Sequence, residues 1–263
     1  MSFQPVVPMG GYAGWRFLER TMERQQESFN NSPVMQRDLD YFAEKIGDVT
    51  TAEQLVSDYR LLKVALGAFG LQDDIGNKYF IKKILSEDTT DSDSLANKLA
   101  DKTYLKMAKA FGFGDIGGPR TILSSLKTEI AEAYRDRSFE VAVGEQDDDM
   151  RLALNMNREL TEIAGSDVSD DAKWFSIMGS EPLRAVFDTA FGLPESFAAL
   201  DLDRQLEVYR EKAKALFGDD NVAQFAESDA RDELLKTFLV RSEINAMGSG
   251  YSPAQTALIL LGG

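Results

Sequence analysis

The sequence predicts an all-α protein, an irregular multi-helix bundle of roughly ten helices with no significant β-sheet. Three observations lead there: apolar residues recur three and four apart along most of the chain, the period-two alternation of strands is almost absent, and the breaks carry helix start and stop residues. With 263 residues, 43% hydrophobic and 28% charged, the chain has a globular composition. Folding at this length buries roughly 70–75% of the unfolded surface, enough for a real core.

The elements follow in order. Trp15, Leu18, Met22 and Phe29 form the apolar stripe of a first helix, with Arg16, Glu19, Arg20, Glu23 and Arg24 around it. Ser32-Pro33 starts the next helix, because proline is tolerated where the first turn has no partner for its N–H. Thr51 and Gln54 have the spacing of a capping box, and Leu55, Tyr59, Leu62, Leu66 and Phe69 predict one helix face behind it. AFGL at 68–71, AFGF at 110–113 and AFGL at 190–193 close three stripes alike. Each predicts a left-handed glycine (Gly70, Gly112, Gly192) just past the helix, with the next apolar residue folding back on the last turn. ALFGD at 215–219 is a weaker fourth copy, and the uneven separations argue against a solenoid. Gly118-Pro119, Glu181-Pro182 and Ser252-Pro253 read as further helix starts, Ser252 with Gln255 as a second capping box, and Ser169 as a cap before acidic residues.

Two stretches interrupt the helical pattern, the polar run SEDTTDSDS at 86–94 and the glycine-rich GFGDIGG at 112–118. A boundary at the second gives an arm and first helix over 1–30, a helical half over 31–118 and a larger helical half over 119–263, with one continuous helical domain as the alternative.

Composition excludes several chemistries. The chain has no cysteine and no histidine, which removes disulfides, thiolate nucleophiles, His-based triads and His or Cys metal sites. With 29 Lys+Arg against 44 Asp+Glu, the net charge of −15 repels nucleic acid and anionic lipid and favours solubility or a basic protein partner. No window reaches the roughly 18–20 apolar residues that cross a bilayer, so no membrane insertion is expected. The N-terminus lacks a basic region before its short, proline-interrupted apolar run, so the expected location is the cytoplasm, with signal-independent export as the alternative.

Candidate sites are few. GFGDIG at 112–117 matches the letters of the dinucleotide fingerprint, but a helical pattern precedes it where the mechanism needs a strand. A helix stop running into the next helix start explains it better, leaving a weaker anion site at that start with Arg120 nearby. GGYAGW at 10–15 has no lysine for a phosphate loop and reads as a mobile N-terminal arm. Glu145, Asp147, Asp148 and Asp149 crowd behind Gly144 and ahead of the stripe Leu152, Met156, Leu160 and Ile163. Carboxylates there cap free N–H groups at the positive end of a helix, and the spacing and mid-loop glycine of a calcium site are missing. No cofactor, metal site or catalytic residue is assigned from these residues. Trp15, Trp174 and the phenylalanines fall mainly on apolar faces and read as core.

Five segments together carry a resemblance: SFQPVVPMGGYAGWRFLERT at 2–21, ALGAFGLQDDIGNKYFIKKIL at 65–85, SLANKLADKTYLKMAKAFGF at 94–113, FEVAVGEQDDDMRLALN at 139–155 and PLRAVFDTAFGLPESFAALDLDRQLEVYR at 182–210. The chain resembles the alphaproteobacterial domain-of-unknown-function family numbered 1217. The resemblance implies a largely helical protein, often encoded beside flagellar genes, and transfers no functional residue. The expectation is a non-enzymatic protein-interaction or assembly factor with a protein partner, with a flagellar chaperone, export-linked or structural component as what the resemblance implies. The competing expectation is a carboxylate-based enzyme or a small-molecule or metal sensor with a pocket between helices. Exposed apolar surface would favour the first, and an enclosed pocket of converging acids the second.

Overall fold

A computed structural model describes residues 3–249 apart from Ala100, and among these the chain forms thirteen α-helices, four short 3-10 turns and no strand. The Ser252-Pro253 start and the Ser252–Gln255 capping box lie outside the described residues. Contacts divide the chain into two compact units, 1–6 with 21–143 and 7–20 with 144–263. Residues 112–118, where the sequence suggests a boundary, lie inside the first. The first helix, α1 (Gly11–Asn30), contributes its N-terminal half to one unit and its C-terminal half to the other. Helix begins at Gly11 and Trp15 is buried, so the arm is confined to the residues before it. Gln25 ties that arm at Val6, accepting from its N–H at 2.6 Å and donating to its carbonyl at 3.2 Å.

In the first unit α2 (Pro33–Lys45), α3 (Ala52–Ser57), α4 (Tyr59–Phe69), α5 (Lys78–Ser86), α6 (Leu95–Lys98), α7 (Thr103–Phe111) and α8 (Ser124–Gly144) enclose one core. Helix α4 lies at its centre, with Leu61, Leu62, Val64, Ala65, Leu66 and Ala68 all buried. Burying a Leu or Val side chain contributes about 1.5–3 kcal/mol, so this helix is fixed by packing more than by propensity. Gly67 lets Tyr134 of α8 approach, since a Cβ there would stand 2.7 Å from the ring.

The capping box at Thr51 is present, with the Gln54 N–H donating to Thr51 Oγ1 at 3.3 Å and the Thr51 N–H to Gln54 Oε1 at 3.2 Å. The single helix expected over 55–69 is instead two helices. Asp58 adopts an extended conformation and accepts from the N–H groups of Arg60 at 2.9 Å and Leu61 at 3.1 Å, starting α4 anew. An aspartate that captures backbone donors competes with the helix it would otherwise continue. Tyr59 consequently points to solvent instead of joining the stripe.

The second unit holds α9 (Asp148–Gly165), α10 (Asp170–Gly179), α11 (Glu181–Phe191), α12 (Leu202–Phe217) and α13 (Ser228–Ser249). Its centre is aromatic: Trp174, Phe187, Phe191, Tyr209 and Phe225 are fully or almost fully buried. Trp174 meets the rings of Phe187 and Tyr209 edge-on with centroids at 5.7 and 5.8 Å, while its indole N–H donates to the Asp220 carbonyl at 3.0 Å. The Tyr209 hydroxyl donates to Asp188 at 2.6 Å, and burial followed by that bond pushes its ionisation far above the usual phenol range. Pro182 sits in the first turn of α11 and Ser169 caps α10 through the Ala172 N–H.

Gly70, Gly112 and Gly192 stand at φ of 75°, 65° and 67°, each just past a helix. After Gly70 and Gly192 the chain closes with paired bonds, Leu71 N–H to Leu66 and Gly70 N–H to Gly67, then Leu193 N–H to Asp188 and Gly192 N–H to Thr189. Gly112 makes the simpler closure, its N–H donating to Ala108 at 2.8 Å. There the following Phe113 stacks on Phe111 at 5.7 Å.

Candidate functional site

The two interruptions of the helical pattern meet in the first unit. The loop over 87–94 and the loop over 112–123 line an open cleft of about 390 Å³, with Asp88, Thr89, Lys109, Asp115, Ile116 and Arg120 on its walls. Each loop is tied down by its own polar side chains. Asn97 donates to the carbonyls of Thr89 at 2.9 Å and Asp91 at 2.8 Å, and Glu87 accepts from the Leu95 N–H. Asp115 joins the loops by accepting from the Thr89 N–H at 3.0 Å.

Gly114 lies so close to the first loop that a Cβ would overlap the Glu87 carbonyl, which explains the second glycine of GFGDIG without a nucleotide. The expected helix start at Gly118-Pro119 is not there. Helix α8 begins only at Ser124, the Arg120 N–H donates back to Phe111 at 2.9 Å, and the Arg120 guanidinium stands 3.7 Å from Asp115. The helix start expected beside Arg120 therefore lies four residues beyond it, at Ser124. Behind it the buried Thr121 hydroxyl donates to the Val49 carbonyl at 2.6 Å, fixing the far end of the loop.

Around these ties the loop presents aliphatic side chains to water. Ile116 is 98% exposed, Ile122 70% and Leu123 48%. Sequence reasoning singled out Arg120 and the glycines and missed these three. An isoleucine inside a glycine-rich loop was the available signal, since such a residue has no stripe to join.

The carboxylates of the opposite candidate run are separated by the helix they start. Asp147 caps α9, accepting from the Met150 N–H at 3.2 Å, with Asp148 and Asp149 in the first turn. Asp149 accepts from the Ser242 hydroxyl at 2.5 Å, Asp148 is exposed, and Glu145 is exposed in the turn after α8. Burial raises the Asp147 carboxyl above its usual value, opposed by the Met150 N–H bond. Among the described residues no group of three or more acidic side chains is placed to hold a metal ion.

Residues 68–230, more than half of the chain and including both loops of the cleft, match the family described as Protein of unknown function (DUF1217). The chain belongs to this family. Among solved structures, the DUF1217 chain is similar to a structural-genomics crystal structure of a protein from Agrobacterium tumefaciens, with 25% identity and a TM-score of 0.74, over 92% of this chain and 99% of that one. A comparison with curated proteins finds no match.

Proposed function

We propose that this DUF1217 chain is a non-enzymatic protein-interaction or assembly factor acting in the cytoplasm, and that its partners are flagellar components. The loop over 116–123 carries the reading, because it holds Ile116, Ile122 and Leu123 in water while Asp115 and Thr121 pin it on either side of Ile116 and just ahead of Ile122. A rigid apolar projection binds at a lower entropic cost than one that must be ordered on contact. The acids of the cleft offer the enzyme reading no support. Asp115 is engaged by Thr89 and Arg120, and Asp88 by the Thr90 N–H and hydroxyl, which hold its carboxyl below the usual range. The flagellar half of the proposal rests on the gene neighbourhood that family membership implies.

The test is affinity capture of the tagged protein from its own host at moderate salt, beside an Ile116→Asp/Ile122→Asp variant. Flagellar export, rod or hook components should accompany the parent and be lost from the variant. Equal recovery with both would remove the loop from the proposal. A different set of partners would remove the flagellum, and clean recovery of each protein alone would overturn the interaction reading.

A further inference from the structure

Helix α13 is apolar on two opposite sides. Leu234, Leu235, Phe238 and Leu239 face the core of the second unit and are buried. At 100° per residue, Val240, Ile244 and Met247 project about half a turn away from them. Those three are exposed, Ile244 at 60% and Met247 at 71%, and their spacing of four and three residues makes one continuous stripe. The N-terminal half of the same outward side carries Asp229, Asp232 and Glu233 against the single base Lys236. None of these four charges is in an ion pair among the described residues. Two further charges flank the stripe, Arg241 with its guanidinium beside Gly192 and Glu243 with its carboxylate beside Gly11.

We infer that this outward face of α13 docks an amphipathic helix of a partner protein, aliphatic where it meets Val240, Ile244 and Met247 and basic where it meets Asp229, Asp232 and Glu233. Seven residues separate Glu233 from Val240, about 10 Å along a helix, so the partner places its basic side chains about two turns from its apolar ones. Two other occupants fit the charges less well. A second copy would set acids against acids if packed parallel and against the aliphatic stripe if packed antiparallel, on a chain of net charge −15, and residues 250–263 contain no basic side chain. The inference rests on the interaction reading above but on different residues in the other unit.

The experiment uses the full chain and two labelled helical peptides with one aliphatic face, flanked in one by lysines and in the other by glutamates, followed by fluorescence anisotropy at about 150 mM salt. The lysine peptide should bind at least about tenfold tighter than the glutamate peptide. Ile244→Asp/Met247→Asp should weaken it at least about tenfold, and Asp229→Lys/Glu233→Lys should reverse the preference. All four positions are exposed, so folding is checked by circular dichroism alone. Absence of binding, indifference to peptide charge, or indifference to the aliphatic variant overturns the inference. So do two further results: Leu258→Asp/Leu261→Asp increasing peptide binding, which makes the chain's own end the occupant, and a dimer that Ile244→Asp/Met247→Asp dissolves. The Ile116→Asp/Ile122→Asp variant should bind the peptide like the parent, so failure here leaves the reading of the 116–123 loop untouched.

Discussion

A single backbone angle decides where three helices end. At Gly70 and Gly192 the positive φ admits glycine readily and strains a β-branched residue most, since its Cβ meets the following carbonyl oxygen. The nearest atoms to an added Cβ are the guanidinium tips of Arg137 and Arg241, which can move, so the cost lies in the backbone. Gly70→Val and Gly192→Val should each destabilise by more than about 1 kcal/mol in urea unfolding. Gly165, at the end of α9 with negative φ and open space around it, gives the opposite expectation. Gly165→Ala should stabilise by about 0.4–1 kcal/mol, and unchanged midpoints for all three variants would remove the left-handed closure as the cause. These glycines were legible in sequence because the signal is local: a small apolar motif at the end of a stripe. The exposure of Ile116 was not, because it depends on ties to Thr89 and Val49, which lie 26 and 72 residues from their partners Asp115 and Thr121.

At the scale of an element, two aspartates that cap helices have opposite electrostatics. Asp147 caps α9 from a partly buried position, and burial holds its carboxyl above the usual value. Its charged form therefore costs stability as pH rises through the raised value, and that cost is absent below the ordinary carboxylate value of about 3.9. Asp58 caps α4 against the same desolvation, but the Tyr41 hydroxyl at 2.6 Å and the N–H groups of Leu61 and Arg60 bring it below the usual value. Its contribution is present above that value and is lost as pH falls through the depressed one. In urea unfolding followed from about pH 3 to about pH 7, Asp147→Asn should gain on the parent as pH rises, since Asn caps as well as Asp. Asp58→Asn should lose ground over the same range. Parallel profiles for parent and both variants would show that neither carboxylate couples to folding.

Helix faces explain what the stripes could not reveal. The buried face of α8 turns about halfway round along its length, from Leu126, Ile130 and Tyr134 to Phe139 and Val143, and Phe139 meets Phe29 edge-on at 5.7 Å. A helix whose neighbours change along its length has no single stripe, so the three-and-four spacing that marks α4 is blurred in α8.

For the whole molecule, the imbalance of 44 acids over 29 bases is a distributed self-repulsion. The melting temperature should rise when sodium chloride increases from about 10 to about 150 mM, as screening shortens the range of that repulsion. Calcium or magnesium at matched ionic strength should add nothing. A larger shift with either cation, abolished by Asp147→Asn/Asp148→Asn/Asp149→Asn, would reveal a metal site at the start of α9. Labelled duplex DNA should not bind at the higher salt.

The sequence by itself determined the all-helical class, the Thr51–Gln54 capping box and the glycine stops, the burial of both tryptophans, and the chemistries ruled out by lacking Cys and His. Each follows from composition or from side chains within a turn of one another. The tertiary structure alone decided the break at Asp58, the late start of α8, the pairing of the 87–94 and 112–123 loops, and the second apolar side of α13. Those depend on which distant backbone groups compete for a donor and on which helix faces find a neighbour, and neither is encoded in local spacing.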